Sequence, residues 1–305
     1  MQNKKHLMAL LEALFVTLLW SSSFVFIKRG LDSIGALTFA GLRYVIAAML
    51  LIGYLAITRK LHEIKQITKN QWFQLIGLGL MMYFVTQGAQ YLGLFYLPAI
   101  QVSLMLNLTP VLILMFSSRI LGEKPTKNNL LGVGVFLIGA AIYFFPLDTS
   151  LGSPIGYVVM TVCLLFNAFS TMLGRSINQR QHVSPVIVTT VSMTMGGLVL
   201  LGSGLAFEGI PSIGIEMWGV ILLLASVNTA FAFTLWNKTM QVLTSIESSI
   251  VNNTMLVQIA ILSFLFMEEP FTFKSVIAVV IVSIGVFLVQ YQSKRQMKSL
   301  KNARE

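Results

Sequence analysis

Arg43 is the residue in this sequence whose chemistry most needs explaining, because it stands alone among apolar neighbours in the run Ala40-Gly41-Leu42-Arg43-Tyr44-Val45-Ile46. An arginine at the centre of a membrane helix costs roughly 2.5–3.5 kcal/mol on insertion scales, so it must find water or a partner. It is expected either to anchor a substrate carboxylate or phosphate, or to form a structural pair with helix ends or with Asp32. Glu12 invites a similar question. As a buried carboxylate with a raised pKa it could exchange protons, or it could simply reach the headgroup region near Lys4 and Lys5. Ser103 and Asn107 are four residues apart and so share a helix face. Ser249 and Asn253 repeat that spacing, and two such faces brought together would bind a polar solute through neutral hydrogen bonds or tie helices to one another. Gln87 and Asn228 add amides at helical depth, and Trp20, Tyr83 and Trp236 could line an aromatic cavity or sit at interfaces. The candidate substrate contacts are therefore Arg43, Ser103, Asn107, Asn228, Ser249 and Asn253, backed by Gln87 and Trp20, with Glu12 as the candidate proton carrier.

The elements that would position these residues are long apolar helices. The chain has 305 residues, 56% of them hydrophobic and only 10% charged, with a mean hydropathy of +0.80. A soluble domain carries about 25% charged residues, so most of this surface must face lipid. Ten runs are apolar and long enough to span, at about 8–27, 35–57, 72–94, 99–117, 128–146, 154–174, 185–206, 217–237, 245–266 and 272–292. Seventeen of the 21 Lys and Arg fall on one side of such a ten-span layout. That asymmetry places both termini in the cytoplasm and the protein, multi-pass, in the cell membrane. The +10 net charge is thus a loop signal and not a nucleic-acid face, since the cations form short clusters between apolar runs. The lone Cys163 is read as an apolar packing residue.

The chain also matches itself. A shift of 146 residues superposes Arg29 on Arg175, Trp72 on Trp218, Ser103 on Ser249, Asn107 on Asn253, Glu123 on Glu269 and Gly139 on Gly285. This defines two five-helix repeats, 8–146 and 154–292. Because five is odd, the second repeat enters the membrane from the opposite side. An inverted repeat provides two like bundles that can rock about a central site, the basis of alternating access. The small residues Gly132, Gly134, Gly139 and Gly285 thin the fifth and tenth helices for close packing, either within the monomer or in a homodimer. Pro110 is expected to kink the fourth helix beside Asn107.

The sequence resembles the EamA family of the drug/metabolite transporter superfamily over nearly its whole length. The residues that carry the likeness are Trp20-Ser21-Ser22-Ser23-Phe24 with Lys28, Arg43-Tyr44, Thr109-Pro110-Val111 and Leu121-Gly122-Glu123. In the second half Met267-Glu268-Glu269 replaces a Gly-Glu pair, and Leu256 stands where Pro110 would recur. The resemblance implies ten helices around a central cavity and export of amino acids, related metabolites or drugs. Uptake of a vitamin or metabolite on the same fold is the nearest alternative. A membrane-embedded lipid-handling protein is another, with Arg43, Lys28 and Arg29 as its basic mouth. The glutamate that couples protons in the small multidrug transporters is replaced here by Trp20, so their chemistry does not carry over. With no nucleotide-binding loop, no His-Glu-x-x-His and three scattered histidines, no enzyme activity, metal or cofactor is expected.

Overall fold

A computed structural model describes residues 2–120, 127–144, 153–179, 183–240, 242–243, 245–269 and 272–302. The described residues are helical almost throughout. The first half contains α1 (Gln2–Gly30), α2 (Ala36–Ile57), α3 (Lys69–Gly79), α4 (Gln87–Tyr96), α5 (Ala99–Leu106), α6 (Thr109–Ile120) and α7 (Lys127–Phe144). The second contains α8 (Pro154–Gln179), α9 (Pro185–Glu208), α10 (Ile215–Ala225), α11 (Ala232–Met240), α12 (Ser245–Met267) and α13 (Phe273–Asn302). The Leu121-Gly122-Glu123 motif lies outside the described residues.

Local chemistry explains several boundaries. Thr68 and Gln71 cap α3 reciprocally, with Gln71 N donating to Thr68 Oγ1 and Thr68 N to Gln71 Oε1. Pro185 opens α9, and Gly209, at φ 79°, ends it in the left-handed region that glycine tolerates. The break expected at Pro110 is present. α5 ends at Leu106 and α6 begins at Thr109, because Pro110 brings no N–H for the Leu106 carbonyl. Thr109 Oγ1 fills that gap at 2.6 Å.

Two interruptions were not legible in the sequence. A π turn, Leu80–Thr86, joins α3 to α4, and another, Ser226–Phe231, joins α10 to α11. Each inserts an extra residue in the helix and is bridged by a threonine: Thr86 Oγ1 donates to Met81 O and Thr229 Oγ1 to Leu224 O, both at 2.8 Å. π turns of this kind recur at functional positions.

The exposed surface is apolar. On α1, Leu7, Leu11, Leu14, Phe15 and Leu18 form an outward stripe, while Ala9, Ala13, Val16 and Thr17 are buried. A face this greasy is stable only against lipid. Among the described residues, five helices are long and apolar enough to cross a membrane, spanning Lys5–Gly30, Ala36–Ile57, Pro154–Gly174, Pro185–Glu208 and Ile215–Trp236. Shorter apolar helices run over Ala99–Ile113, Leu130–Tyr143, Val251–Met267 and Phe273–Leu288.

Glycines bring the two halves together. α2 packs on α9, where a Cβ on Gly41 would lie 2.4 Å from the Leu201 Cα and one on Gly204 would lie 2.4 Å from the Thr38 N. α7 packs on α13 in the same way, with Gly139 against Val282 and Gly285 against Phe136. The thinned faces of the fifth and tenth expected helices therefore meet inside the chain. Gly139 and Gly285 are filled there, whereas a Cβ on Gly134 would meet nothing within 4 Å.

Candidate functional site

Arg43 is carried into the core by α2 and is only 5% exposed. Its guanidinium reaches across to the second half of the chain. Nε donates to Thr229 Oγ1 at 2.8 Å and Nη2 to the Asn228 carbonyl at 3.4 Å, both on the Ser226–Phe231 π turn. Nη1 donates to the Tyr91 hydroxyl of α4 at 3.2 Å, and the guanidinium carbon lies 5.5 Å from the centre of the Tyr44 ring. These partners are all neutral. Neither Asp32 nor any other carboxylate among the described residues pairs with Arg43, so the expected structural pair with Asp32 is absent.

The Asn228 side chain turns back to the first helix. Its Nδ2 donates to the Leu19 carbonyl, to Ser23 Oγ at 2.9 Å and to Ser22 Oγ at 3.2 Å. Trp20, next along α1, packs its ring against Phe233 (centroids 5.3 Å apart) and Trp236 (5.2 Å) of α11. Its indole N–H is buried with no acceptor among the described residues. Gln87 Oε1 accepts a hydrogen bond from the Tyr44 hydroxyl at 2.6 Å, and the Tyr44 ring packs at a tilt against that of Tyr83. Arg43, Asn228 and, through Tyr44, Gln87 are thus joined in one network between α1, α2, α4 and the second π turn, while Trp20 packs beside it on α11.

The other expected contacts lie elsewhere. Ser103 is buried on α5, and Asn107 spends an amide N–H on the Ser103 carbonyl of its own helix at 2.9 Å. Asn253 is half-buried on α12, and the Ser249 side chain lies outside the described residues. Glu12 is 22% exposed and pairs with the 64% exposed Lys238 of α11 at 2.7 Å. Along the α1–α12 seam, Ser21 Oγ donates to Gln258 Oε1 at 2.9 Å, and Gln258 Nε2 donates to Thr17 and Thr254 at 3.1 Å.

Sequence reasoning missed Thr229 and Tyr91 entirely, and gave the serines after Trp20 no role beyond their motif. The signal for Thr229 was present, as the polar step Asn228-Thr229 inside an otherwise apolar run. It also missed the helix caps at the far end of α1. Lys28 Nζ donates to the Leu94 and Leu97 carbonyls at 2.6 and 2.7 Å, and Arg29 Nη2 to the Phe266 carbonyl at 3.0 Å. Each cation thus sits where a helix dipole is negative. Glu269 accepts the Ala99 and Ile100 N–H groups at the start of α5, and Glu208 accepts those of Leu37 and Thr38 at the start of α2. Burial pushes the Glu269 carboxyl above its ordinary value, against the opposing pull of those N–H groups and of Lys28. Lys28 and Arg29 therefore serve as caps and form no open basic mouth. A separate cavity of about 260 Å³, lined by Thr68, Gln71, Gln74, Leu75 and Ile177 among others, touches none of the Arg43 network.

An apolar exterior around buried polar knots defines a polytopic membrane protein. The model of the EamA-like transporter family matches residues 7–145 and again 154–291, and the chain belongs to that family. The uncharacterized transporter YetK of Bacillus subtilis is 26% identical over 90% of this chain and 84% of its own length. A second uncharacterized B. subtilis transporter, YoaV, is 24% identical over 94% and 98%. The S-adenosylmethionine/S-adenosylhomocysteine transporter of Chlamydia muridarum is 23% identical over 91% and 90%. One crystal structure shares the fold with a TM-score of 0.67 at 18% identity, covering 94% of this chain and 98% of that one. The relatives point to a membrane transporter and away from an enzyme.

Proposed function

We propose that this protein is a secondary transporter that exports small metabolites (amino acids or related compounds) or drugs across the cytoplasmic membrane by alternating access. The observation that carries the proposal is the Arg43–Asn228 network, a polar knot that ties α2 to the second π turn and that turn back to α1. A site shared in this way between two bundles can be exposed to either face as they rock.

Several features support two inverted repeats of ten spans in all. The two π turns coincide under the 146-residue shift, which places Leu80 on Ser226. The same shift exchanges the contact of α1 with α12 for that of α8 with α5 and α6, and the contact of α1 with α11 for that of α8 with α4. The family model also matches once per half. The charge asymmetry supports cytoplasmic termini, and the family's common activities support the outward direction. Against the lipid-handling alternative stands the use of Lys28 and Arg29 as helix caps.

The test is solute counterflow in proteoliposomes, beginning with amino acids and with S-adenosylmethionine, the solute named for the Chlamydia relative. Single cysteines at Asn107 and Asn253, in a Cys163→Ser background, should be labelled from one face of the membrane at a time, with solute switching the face. Labelling from both faces at once would indicate a channel and refute alternating access. Flux out of vesicles of known orientation establishes the direction.

A further inference from the structure

Two features of the network remain unused by this reading. A guanidinium has five N–H donors, and only three of those of Arg43 have partners among the described residues. The side chain is nevertheless 5% exposed and meets no counter-charge among the described residues. A buried cation without a counter-charge is an expensive arrangement. A planar oxyanion accepting two parallel N–H bonds is the group that best offsets it. The missing charge is thus one that the described residues do not provide and a solute can.

The second feature is how the π turn is held. The Ala232 N–H bonds to the Thr229 and Val227 carbonyls, three and five residues back, which leaves the Asn228 carbonyl, four back, to accept from Arg43. That bond is long, at 3.4 Å, and Nε meanwhile holds the neighbouring Thr229 hydroxyl. The guanidinium therefore braces the π register. The matching turn in the first half has no such brace, since the position equivalent to Arg43 is Thr189. If the π turn closed to α-helix, one residue would be taken into the spiral, turning the segment beyond it by about 100° and moving it by about 1.5 Å. That segment carries Phe233 and Trp236, which hold Trp20, and Lys238, which holds Glu12 at 2.7 Å.

We propose that Arg43 is an oxyanion site, and that its occupancy releases the Asn228 carbonyl, closes the Ser226–Phe231 π turn and breaks the Glu12–Lys238 bridge. The transported solutes then carry a carboxylate or a phosphate group. This rests on the carrier reading above and names its substrate class and its trigger. Arg43 Nε and Nη2 drop the Thr229 hydroxyl and the Asn228 carbonyl for the anion's two oxygens. The Asn228 carbonyl regains the Ala232 N–H, and α11 turns away from α1 at the end where Glu12 lies.

The experiment uses the full chain in phosphatidylcholine nanodiscs, with nitroxides at the exposed positions Leu11 and Thr234 in a Cys163→Ser background. Acetate and inorganic phosphate are the probes, with formamide and chloride as controls at matched ionic strength. Acetate or phosphate should raise the unfolding temperature with a saturating dose dependence and shift the dipolar EPR distance, while the controls do neither. Arg43→Gln should abolish both responses. Thr229→Val leaves Arg43 Nε without its acceptor while keeping the side-chain shape. It should lower the half-saturating anion concentration about ten- to a hundred-fold, the worth of one hydrogen bond to a charged group. It also carries the test should Arg43→Gln not fold. An equal anion response in Arg43→Gln overturns the site. Anion binding with an unmoved distance overturns the coupling to the π turn. An absent anion response alongside saturable counterflow of neutral solutes overturns the substrate class and leaves the carrier standing. A full anion response with no counterflow of any solute removes the carrier reading instead.

Discussion

If Arg43 is kept for a ligand and not for the fold, removing it together with the group it would orphan should leave the protein at least as stable as before. Arg43→Met leaves three acceptors to account for. Thr229 Oγ1 retains its bond to Leu224 O, and the Asn228 carbonyl can recover the Ala232 N–H. Only the Tyr91 hydroxyl, on a residue 0% exposed, loses its described partner, at a cost of about 1–3 kcal/mol. Against this, taking a guanidinium out of an apolar core recovers desolvation worth several kcal/mol in principle. The single variant should therefore lie within about 2 kcal/mol of wild type in either direction. Adding Tyr91→Phe removes the orphan, and Arg43→Met/Tyr91→Phe should regain about 1–3 kcal/mol over the single variant. Thermal unfolding of the purified protein, read at roughly 1.5 °C per kcal/mol for a chain of this length, gives the ranking. Counterflow should be lost in both variants. A double variant less stable than wild type by more than about 3 kcal/mol would refute the reasoning, because breaking a structural tie carries that cost.

Four further outcomes are expected. Gly204→Ala should destabilise by about 1–3 kcal/mol, because the new Cβ meets backbone at Thr38 N, whereas Gly202→Ala, with nothing within 4 Å, should be near neutral; equal unfolding temperatures would dismiss the close α2–α9 approach. Glu208→Gln should cost about 0.5–2 kcal/mol of thermal stability by weakening the α2 cap, and an unchanged melt would show that the cap does not matter. Glu269 has a raised carboxyl in the fold, so folding takes up a proton between its ordinary 4.5 and the raised value, and stability falls as pH climbs through that window. Glu269→Gln should flatten that slope in unfolding scans, and a wild-type slope in the variant would assign it to another group. Glu12→Gln removes a largely solvated ion pair worth about 0–1 kcal/mol and should leave the dependence of flux on the pH gradient unchanged; a loss of coupling would establish Glu12 as the proton carrier.

Much of this protein was legible in one dimension because lipid imposes a simple rule. Backbone polar groups must be satisfied within each span, so apolar length alone located the helices, to within a few residues at Ala36–Ile57 and Pro185–Glu208. Pro110 announced the break after Leu106 by lacking an N–H, and Arg43 announced itself as an expensive charge needing a partner. What that partner would be was not legible. Asp32 is 11 residues away in sequence, while Thr229 and Asn228 are 186 and 185 away, and no local pattern links them to Arg43. The π turns were hidden for a similar reason: an extra residue in a helix alters hydrogen-bond register without altering composition. Whether Gly285 served a dimer or the monomer was decided only when α13 met α7, and whether Lys28 formed a mouth or a cap only when α4 ended beside it. Composition and periodicity decided what had to be buried in lipid, since that is a property of each segment. The partners of the buried polar groups belong to pairs of distant segments, and only packing brings those pairs together.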